Sequence, residues 1–295
     1  MTFNGNARID TSGITKRGGG RTGAVVGGGG ILVTLLLFLV SQFLGVDLTG
    51  LAGGGQSSGS ETQSQGVEGC QTGADANKNV ECRMAGAQNS LDQYWRSQQQ
   101  GLGIQYQTPG FVLYEGQTES ACGTASNAVG PFYCPSDKSM YVDASFFDLL
   151  ESQFGAKDGP LAEMYVVAHE WGHAIQHQTG ILQQIDQQAT GPDSDAVRLE
   201  LQADCLAGAW AQNASQTTDA SGQQLIQPLT DADIQNALGA ASAVGDDHIQ
   251  QSSSGRVSPE SFTHGTSEQR MRWFTTGYKS GWQSCDTFGV AGNQL

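Results

Sequence analysis

The chain has 295 residues, of which 38% are hydrophobic, so it is long enough for one good-sized domain with additional segments. Its formal net charge of −15 argues against a nucleic-acid partner, because binding to phosphate requires a basic surface. The acidic balance identifies no partner by itself, since a charged surface mainly keeps a protein soluble. Composition therefore excludes one class of partner and leaves function to the motifs.

The first 46 residues differ from the remainder in charge and hydropathy. Residues 1–22 contain four basic residues and one acidic residue, and we interpret them as a disordered basic tail. Residues 23–46 contain no charged residue and are long enough to cross a bilayer as a helix. The charge distribution predicts an uncleaved transmembrane anchor with a cytoplasmic N-terminus and an external C-terminal region. A cleaved signal peptide is the alternative, although no good A-x-A site follows the apolar stretch.

Residues 47–69 have the Gly- and Ser-rich composition of a flexible linker, and the folded domain is predicted over residues 70–295. All six cysteines fall in this domain, and neither close pair has the C-x-x-C spacing of a zinc site. An oxidising compartment with disulfides is the better interpretation. Pairing of sequence neighbours, one of several possible connectivities, predicts the disulfides Cys70–Cys82, Cys122–Cys134 and Cys205–Cys285.

Apolar spacing and capping residues predict the elements of this domain. In chain order they are a helix over 84–98, short strands over 104–106, 111–114 and 140–142, helices over 146–154, 160–179, 194–213 and 230–244, and a last helix that begins at 266. Pro160 and Gly180 delimit the helix predicted over 160–179. Proline is typical of the first turn of a helix, and glycine of the position just past its end. The pattern predicts an α+β fold that is mostly helical with a small sheet, preceded by the transmembrane helix.

The helix predicted over 160–179 contains the motif HEWGH, from His169 to His173. Side chains four residues apart lie on one face of a helix, so the two imidazoles can bind one metal ion. Glu170 lies beside them, where it can accept a proton from a metal-bound water. The alternative is a chance match on a surface helix. Against it, uncharged residues flank the motif and three of the five histidines are clustered here.

A catalytic zinc site needs a third protein ligand, and the sequence offers two candidates. His177 would add a third histidine, but the HExxHxxGxxH spacing requires a glycine and its third histidine where this chain has Gln176 and Thr179. The other candidate is Glu200, in an E-x-x-x-D pattern that ends at Asp204. Glu200 would bind the metal, and Asp204 would accept a hydrogen bond that orients a ligand histidine. An exposed acidic stripe is less consistent with the intervening apolar residues, so we favour Glu200.

These motifs belong to a longer set of sequence blocks that resembles the bacterial neutral zinc metallopeptidase family. The shared blocks are ACGTA (121–125), GPFYCPSD (130–137), YVD (141–143), HEWGHAIQ (169–176), ELQADCLAGAWA (200–211), FTHGTSEQR (262–270) and CDTF (285–288). The resemblance covers nearly the whole chain and implies a membrane-anchored protein with a zincin-like core that binds one Zn²⁺ ion. This chain matches the family at both the HExxH and the ExxxD positions.

Other polar residues are candidates for a supporting role. His264, just before the last predicted helix, could stabilise an oxyanion, although a capping or packing histidine is the alternative. Tyr141, Tyr278 and Arg270 are weaker candidates for the same chemistry. His248 follows two aspartates and could belong to an accessory cation site, but we interpret this stretch as a solvated loop.

The sequence thus predicts a zinc metallopeptidase on the outer face of a bacterial cytoplasmic membrane, acting on a peptide or protein substrate. Two alternatives belong to other classes. One is a non-catalytic binding or scaffold domain that zinc stabilises, for which a closed four-ligand site would be expected. The other is a zinc amidase acting on cell-wall peptides.

Overall fold

The computed structural model describes residues 2–18, 64–65, 67–126, 130–154 and 159–295. The membrane anchor predicted at 23–46 and most of the predicted linker at 47–69 lie outside these ranges. No helix within them combines the length and the apolar character needed to span a bilayer.

The described residues form seven β-strands and eight α-helices. In chain order they are β1 (Ile14–Arg17), β2 (Ser64–Gln65), α1 (Gly73–Ala76), α2 (Val80–Leu102), β3 (Gly110–Tyr114), β4 (Gln117–Ser120), β5 (Gly123–Ser126), β6 (Phe132–Cys134), β7 (Ser139–Asp143), α3 (Phe146–Phe154), α4 (Pro160–Gln178), α5 (Asp195–Asn213), α6 (Asp231–Ala243), α7 (Asp246–Ser254) and α8 (Ser267–Ser280). The α+β class predicted from the sequence is confirmed.

The main sheet has five strands in the order β2-β1-β3-β7-β6. Strands β1, β3 and β7 run parallel, and β2 and β6 pair antiparallel at the two edges. A separate hairpin is formed by β4 and β5. The strand predicted over 104–106 is wrong, because the N–H of Ile104 donates to the carbonyl of Gln99 at the end of α2. Gly103, in the left-handed conformation with φ of 68°, makes this helix-capping turn possible.

Residues 2–18 are part of the folded domain, so the prediction of a disordered tail over 1–22 is wrong for them. Strand β1 lies between β2 and β3, with Ile14 opposite Phe111. Phe3 is 1% exposed and packs so closely on Gly86 of α2 that a side chain at 86 would overlap its ring. The domain therefore does not begin at Cys70. The basic residues that suggested a tail are partly used inside the fold, since Lys16 pairs with Glu81 at 2.8 Å.

Replacing Phe3 by alanine is expected to lower the free energy of unfolding by about 3–5 kcal/mol, because a fully buried aromatic ring would be removed. Urea unfolding of the full-length chain measures this loss. Asn6→Ala is the matched control, since Asn6 lies in the same segment but is exposed. Equal stability of the two variants would show that residues 2–18 do not pack on the domain in solution.

Close helix packing brings the second half of the domain together. At the crossing of α5 and α8, a Cβ atom at Gly208 would overlap the carbonyl of Phe274, and one at Gly277 would overlap that of Cys205. At the contact of α4 with α5, a Cβ at Gly172 would lie within 3.0 Å of Ala203. Glycine at these positions lets the backbones approach, which places the polar residues of three helices around one buried point.

The structure contains the three disulfides in the predicted pairs, Cys70–Cys82, Cys122–Cys134 and Cys205–Cys285. The second bond joins the β4–β5 hairpin to the edge strand β6. The third joins α5, directly after Asp204, to the segment that follows α8. Two of the three bonds therefore hold elements that border the buried polar cluster.

Candidate metal centre

Helix α4 carries His169 and His173 on the face that meets α5, and α5 carries Glu200 opposite them. The Nε2 atom of His169 lies 3.1 Å from Oε2 of Glu200, and Nε2 of His173 lies 3.4 Å from Oε1 of the same residue. Zinc bonds of about 2.0–2.1 Å in a tetrahedral site place neighbouring ligand atoms about 3.3 Å apart. The structure thus brings together the three residues that the sequence proposed as ligands, and the distances from Glu200 to the two histidines suit one zinc ion.

The chemistry of Glu200 also fits a metal ligand. Its side chain is 2% exposed, and Oε1 is a buried oxygen with no hydrogen-bond partner among the described residues. Buried carboxylate oxygens of this kind are normally paired or bound to a cation. Glu170 is the other carboxylate close to both histidines. Together, His169, Glu170 and His173 form a group of side chains that could hold a metal ion. We favour Glu200 as the ligand, because Oε2 of Glu170 already accepts a hydrogen bond from the backbone N–H of Tyr133 at 2.9 Å.

His169 is held by a buried ionic network. Its Nδ1 lies 2.8 Å from Oδ1 of Asp204, which also accepts the hydroxyl of Tyr165. Arg270 binds both oxygens of Asp204, at 2.8 and 3.0 Å. Burial raises the pKa of Asp204, but the charges and hydrogen bonds of Arg270 and His169 together outweigh it and hold that pKa below the usual range. The charged carboxylate fixes a proton on Nδ1, so that Nε2 of His169 is the nitrogen that faces Glu200.

The protonation of the cluster reflects burial and its neighbours. Burial lowers the pKa of His173 to about 4, so this ring is neutral near pH 7. Burial also lowers the pKa of His169, but the charge of Asp204 and the hydrogen bonds to Asp204 and Glu200 together outweigh it and raise the value to about 10. For Glu200, burial favours the neutral form, but its interactions with the three neighbouring histidines, including the hydrogen bond with His169, together hold its pKa well below the usual range. Without metal, a proton thus lies between Nε2 of His169 and Glu200, at the position that a metal ion would take. Metal binding would release this proton.

Glu170 lies at the border of a cleft. Its side chain is 9% exposed, and burial raises its pKa to about 7. The cleft has a volume of about 140 Å³ and is bordered by Glu170, both histidines of the motif, Glu200, His264 and Arg270. Its remaining wall is largely apolar and consists mainly of Pro131, Phe132, Phe146, Val166, Leu182, Val244 and Ile249. A polar cluster at the base of an apolar cleft is a common form of binding site.

His264 is positioned by Asp246, the first residue of α7. The Oδ2 atom of Asp246 accepts the backbone N–H groups of Thr263, His264 and Gly265, at 2.7 to 3.0 Å. Nδ1 of His264 lies 3.3 Å from Oδ1 of Asp246 and 2.8 Å from the hydroxyl of Thr263. Burial lowers the pKa of His264, but the charges of Glu200 and Asp246 raise it overall. The loop before α8 thus holds this histidine at the cleft.

Of the other sequence candidates, Arg270 borders the cleft, and His177, Tyr141, Tyr278 and His248 lie outside it. His177 is on the next turn of α4, where its Nδ1 lies 2.9 Å from the hydroxyl of Tyr133. Tyr141 donates to Asp137 at 2.7 Å, and Tyr278 stacks on Phe274. His248 lies on α7, so the prediction of a loop there is wrong. The guanidinium of Arg270 is hydrogen-bonded to Asp204, and through that carboxylate it helps to hold His169.

Sequence reasoning missed the structural roles of Tyr133, Tyr165, Asp246 and Gln176. Asp246 begins a helix directly after Gly245, a pattern that resembles an ordinary helix start. Gln176 was weighed only as a departure from another motif. Asp246 acts on a loop 18 residues later, and the Gln176 amide is oriented by the carbonyl of Leu199 on another helix, so no local pattern marks these roles.

Comparison with known proteins agrees with this geometry. A family model described as "Putative neutral zinc metallopeptidase" matches residues 3–288. The chain belongs to this family. The match includes the N-terminal segment that packs on α2 as well as the metal centre. It confirms the family resemblance that the sequence blocks indicated.

Relatives of this member of the neutral zinc metallopeptidase family occur in Mycobacterium tuberculosis and in Escherichia coli. "Uncharacterized protein Rv2575" of Mycobacterium tuberculosis (strain H37Rv) is 50% identical over 224 residues, which is 75% of each chain. "Uncharacterized protein YpfJ" of Escherichia coli (strain K12) is 41% identical over 265 residues, which is 88% of this chain and 86% of the relative. No solved structure matches the chain.

Proposed function

We propose that this protein is a zinc-dependent peptidase that hydrolyses peptide bonds in peptide or protein substrates. The observation that carries the proposal is the position of Glu200, whose two oxygens lie 3.1 and 3.4 Å from the Nε2 atoms of His169 and His173. Three protein ligands are the usual set of a catalytic zinc site, whereas structural sites are closed by four. The family match and the adjoining cleft support the same function.

A zinc ion held by these three residues would act as a Lewis acid that polarises the scissile carbonyl and makes water acidic enough to attack it. Glu170 accepts the proton of the attacking water and later gives it to the leaving amine. Burial raises the pKa of this carboxyl to about 7, close to the value that suits a general base at neutral pH. The N–H of Tyr133 holds Oε2 of Glu170 in place, which leaves Oε1 for the water.

His264 is the group that we assign to the developing oxyanion. Its Nδ1 lies against Asp246 and Thr263, so Nε2 is the ring nitrogen that a substrate in the cleft would meet. A positioned donor stabilises the negative charge that appears on the carbonyl oxygen during attack. Asp246 keeps the ring oriented and favours its charged form.

The cleft suits an extended polypeptide. Strand β6 is an edge strand of the main sheet, and its Tyr133 reaches Glu170 through a backbone hydrogen bond. Sheet edges are a recurring binding surface for extended peptides, and Phe132 and Tyr133 of this edge strand line the cleft. The apolar wall would accept an apolar side chain of the substrate. We place the domain outside the cytoplasm, because its three disulfides favour an oxidising compartment. A single-pass anchor over 23–46 with a cytoplasmic N-terminus is not part of this proposal, because β1 pairs with β3 in the same sheet.

Removal of zinc tests this function directly. The purified full-length protein is expected to cleave casein-derived peptides, to lose that activity with a chelator, and to regain it with one equivalent of zinc. Peptide release followed by mass spectrometry measures the effect. Cleavage of muropeptides but not of casein peptides would indicate the cell-wall amidase instead. Stoichiometric zinc without turnover of either substrate would indicate the scaffold domain and contradict the proposal.

A further inference from the structure

The two histidines of the motif are supported by different chemistry. His169 is held by a carboxylate, but Nδ1 of His173 lies 2.8 Å from Oε1 of Gln176, one turn along the same helix. We infer that Gln176 is a positioning residue that fixes the ring and the tautomer of His173 for zinc binding. The inference rests on the proposed zinc site, which it extends beyond the three ligands and Asp204.

The orientation of the Gln176 amide follows from its other contacts. Its Nε2 lies 2.7 Å from the backbone carbonyl of Leu199, which can only accept a hydrogen bond. The amide nitrogen must therefore face Leu199, and the amide oxygen must face His173. Since an amide oxygen only accepts, Nδ1 of His173 carries the proton. The lone pair of His173 is then on Nε2, the atom that lies 3.4 Å from Glu200.

A second amide holds the first in this orientation. Gln202 accepts from Nε2 of Gln176 at 3.1 Å and donates to the carbonyl of Cys285 at 3.0 Å. The carbonyl of Cys285 fixes the direction of Gln202, just as that of Leu199 fixes the direction of Gln176. Both glutamines are buried, at 0% and 8% exposure. The chain of contacts is thus fully determined and shielded from water, which strengthens each bond in it.

The same contacts link two ligands from different helices. Gln176 joins His173 on α4 to the carbonyl of Leu199, which directly precedes Glu200 on α5. Rotation of the His173 ring or a shift between the two helices would break one of these bonds. Because the amide is neutral, it provides this support without adding a negative charge beside Glu200. Asp204, by contrast, supports His169 with a charge that Arg270 balances.

Two substitutions separate positioning from simple packing. Gln176→Met has a similar length but no acceptor for His173, and it is expected to weaken zinc binding by about 10- to 100-fold. Gln176→Glu keeps an oxygen acceptor for Nδ1 but loses the donor to Leu199 and adds a negative charge, so its zinc affinity is expected to lie between those of Gln176→Met and wild type. Competition with a chromophoric chelator measures the zinc affinity of each full-length protein. Urea unfolding of the metal-free forms gives the loss of stability, which a packing role alone would make similar for both.

Three results would overturn the inference. The first is zinc binding by Gln176→Met within about threefold of wild type, and the second is an equal loss in Gln176→Glu. The third result is a proton on Nε2 of His173 in proton–nitrogen NMR of the zinc-loaded wild type, where we expect the proton on Nδ1. This measurement does not depend on the folding of any variant. If the wild type itself binds no zinc, the proposed function fails. If only the Gln176 results differ from expectation, this inference fails alone.

Discussion

Glu170→Gln is expected to leave zinc binding intact and to lower kcat for peptide hydrolysis by about 10²- to 10⁴-fold, the usual contribution of a general base. Glutamine has the same shape as glutamate and its amide oxygen can still accept from the N–H of Tyr133, so the cleft is retained. The amide cannot accept a proton from the attacking water. Steady-state hydrolysis of a peptide substrate, measured beside the zinc content of the same sample, tests both halves of the expectation.

The matched control for this experiment is Glu268→Gln, which removes a carboxylate from the first turn of α8. The side chain of Glu268 is 80% exposed and pairs with Arg272 at 2.8 Å. Its activity and zinc content are expected to equal those of wild type. Normal hydrolysis by Glu170→Gln would rule out Glu170 as the base, whereas loss of zinc in that variant would mean that Glu170 is itself a ligand.

Glu200→Ala is expected to weaken zinc binding by more than about 100-fold, beyond the 10- to 100-fold typical of residues that only support a ligand. The substitution removes both oxygens that lie near the two histidines. His177→Ala is the matched control, because it removes the histidine that the sequence offered as the other third ligand. Since His177 contacts the hydroxyl of Tyr133 rather than the cluster, zinc affinity should not change.

Zinc affinity in both variants can be measured by chelator competition and checked by unfolding with and without zinc. A ligand that binds only the folded state raises its stability, so wild type and His177→Ala should gain stability with zinc, and Glu200→Ala should gain much less. The opposite pattern, with zinc lost in His177→Ala and kept in Glu200→Ala, would contradict the arrangement of the site.

The part of the site that could be predicted from sequence depends on helical spacing. His169 and His173 are four residues apart, and so are Glu200 and Asp204, so each pair shares a helix face before any tertiary contact is known. Helix caps such as Thr230 and Thr266 also marked their helices at the correct positions. Local periodicity and capping were sufficient for these elements.

The remaining features depend on contacts between distant segments. Asp246 reaches a loop 18 residues later, and Tyr133 reaches Glu170 from the sheet, so no local pattern reveals either. Strand β1 was missed for a different reason. Its sequence, ITKR, is short and basic, and it forms a strand because β2 and β3 flank it on both sides. Tertiary context, rather than intrinsic propensity, decides such a segment.

The pairing of β1 with β3 also determines how the protein can be arranged relative to a membrane. Neighbouring strands joined by backbone hydrogen bonds cannot be separated by a bilayer, so residues 2–18 lie in the same compartment as the metal centre. A cytoplasmic N-terminus combined with an external domain is therefore incompatible with this sheet. A recombinant fragment that starts at Cys70 would lack β1 and leave the edge of β3 unpaired, which favours aggregation. The N-terminal segment is a structural component of the enzyme-like domain, even though an apolar stretch separates the two in sequence.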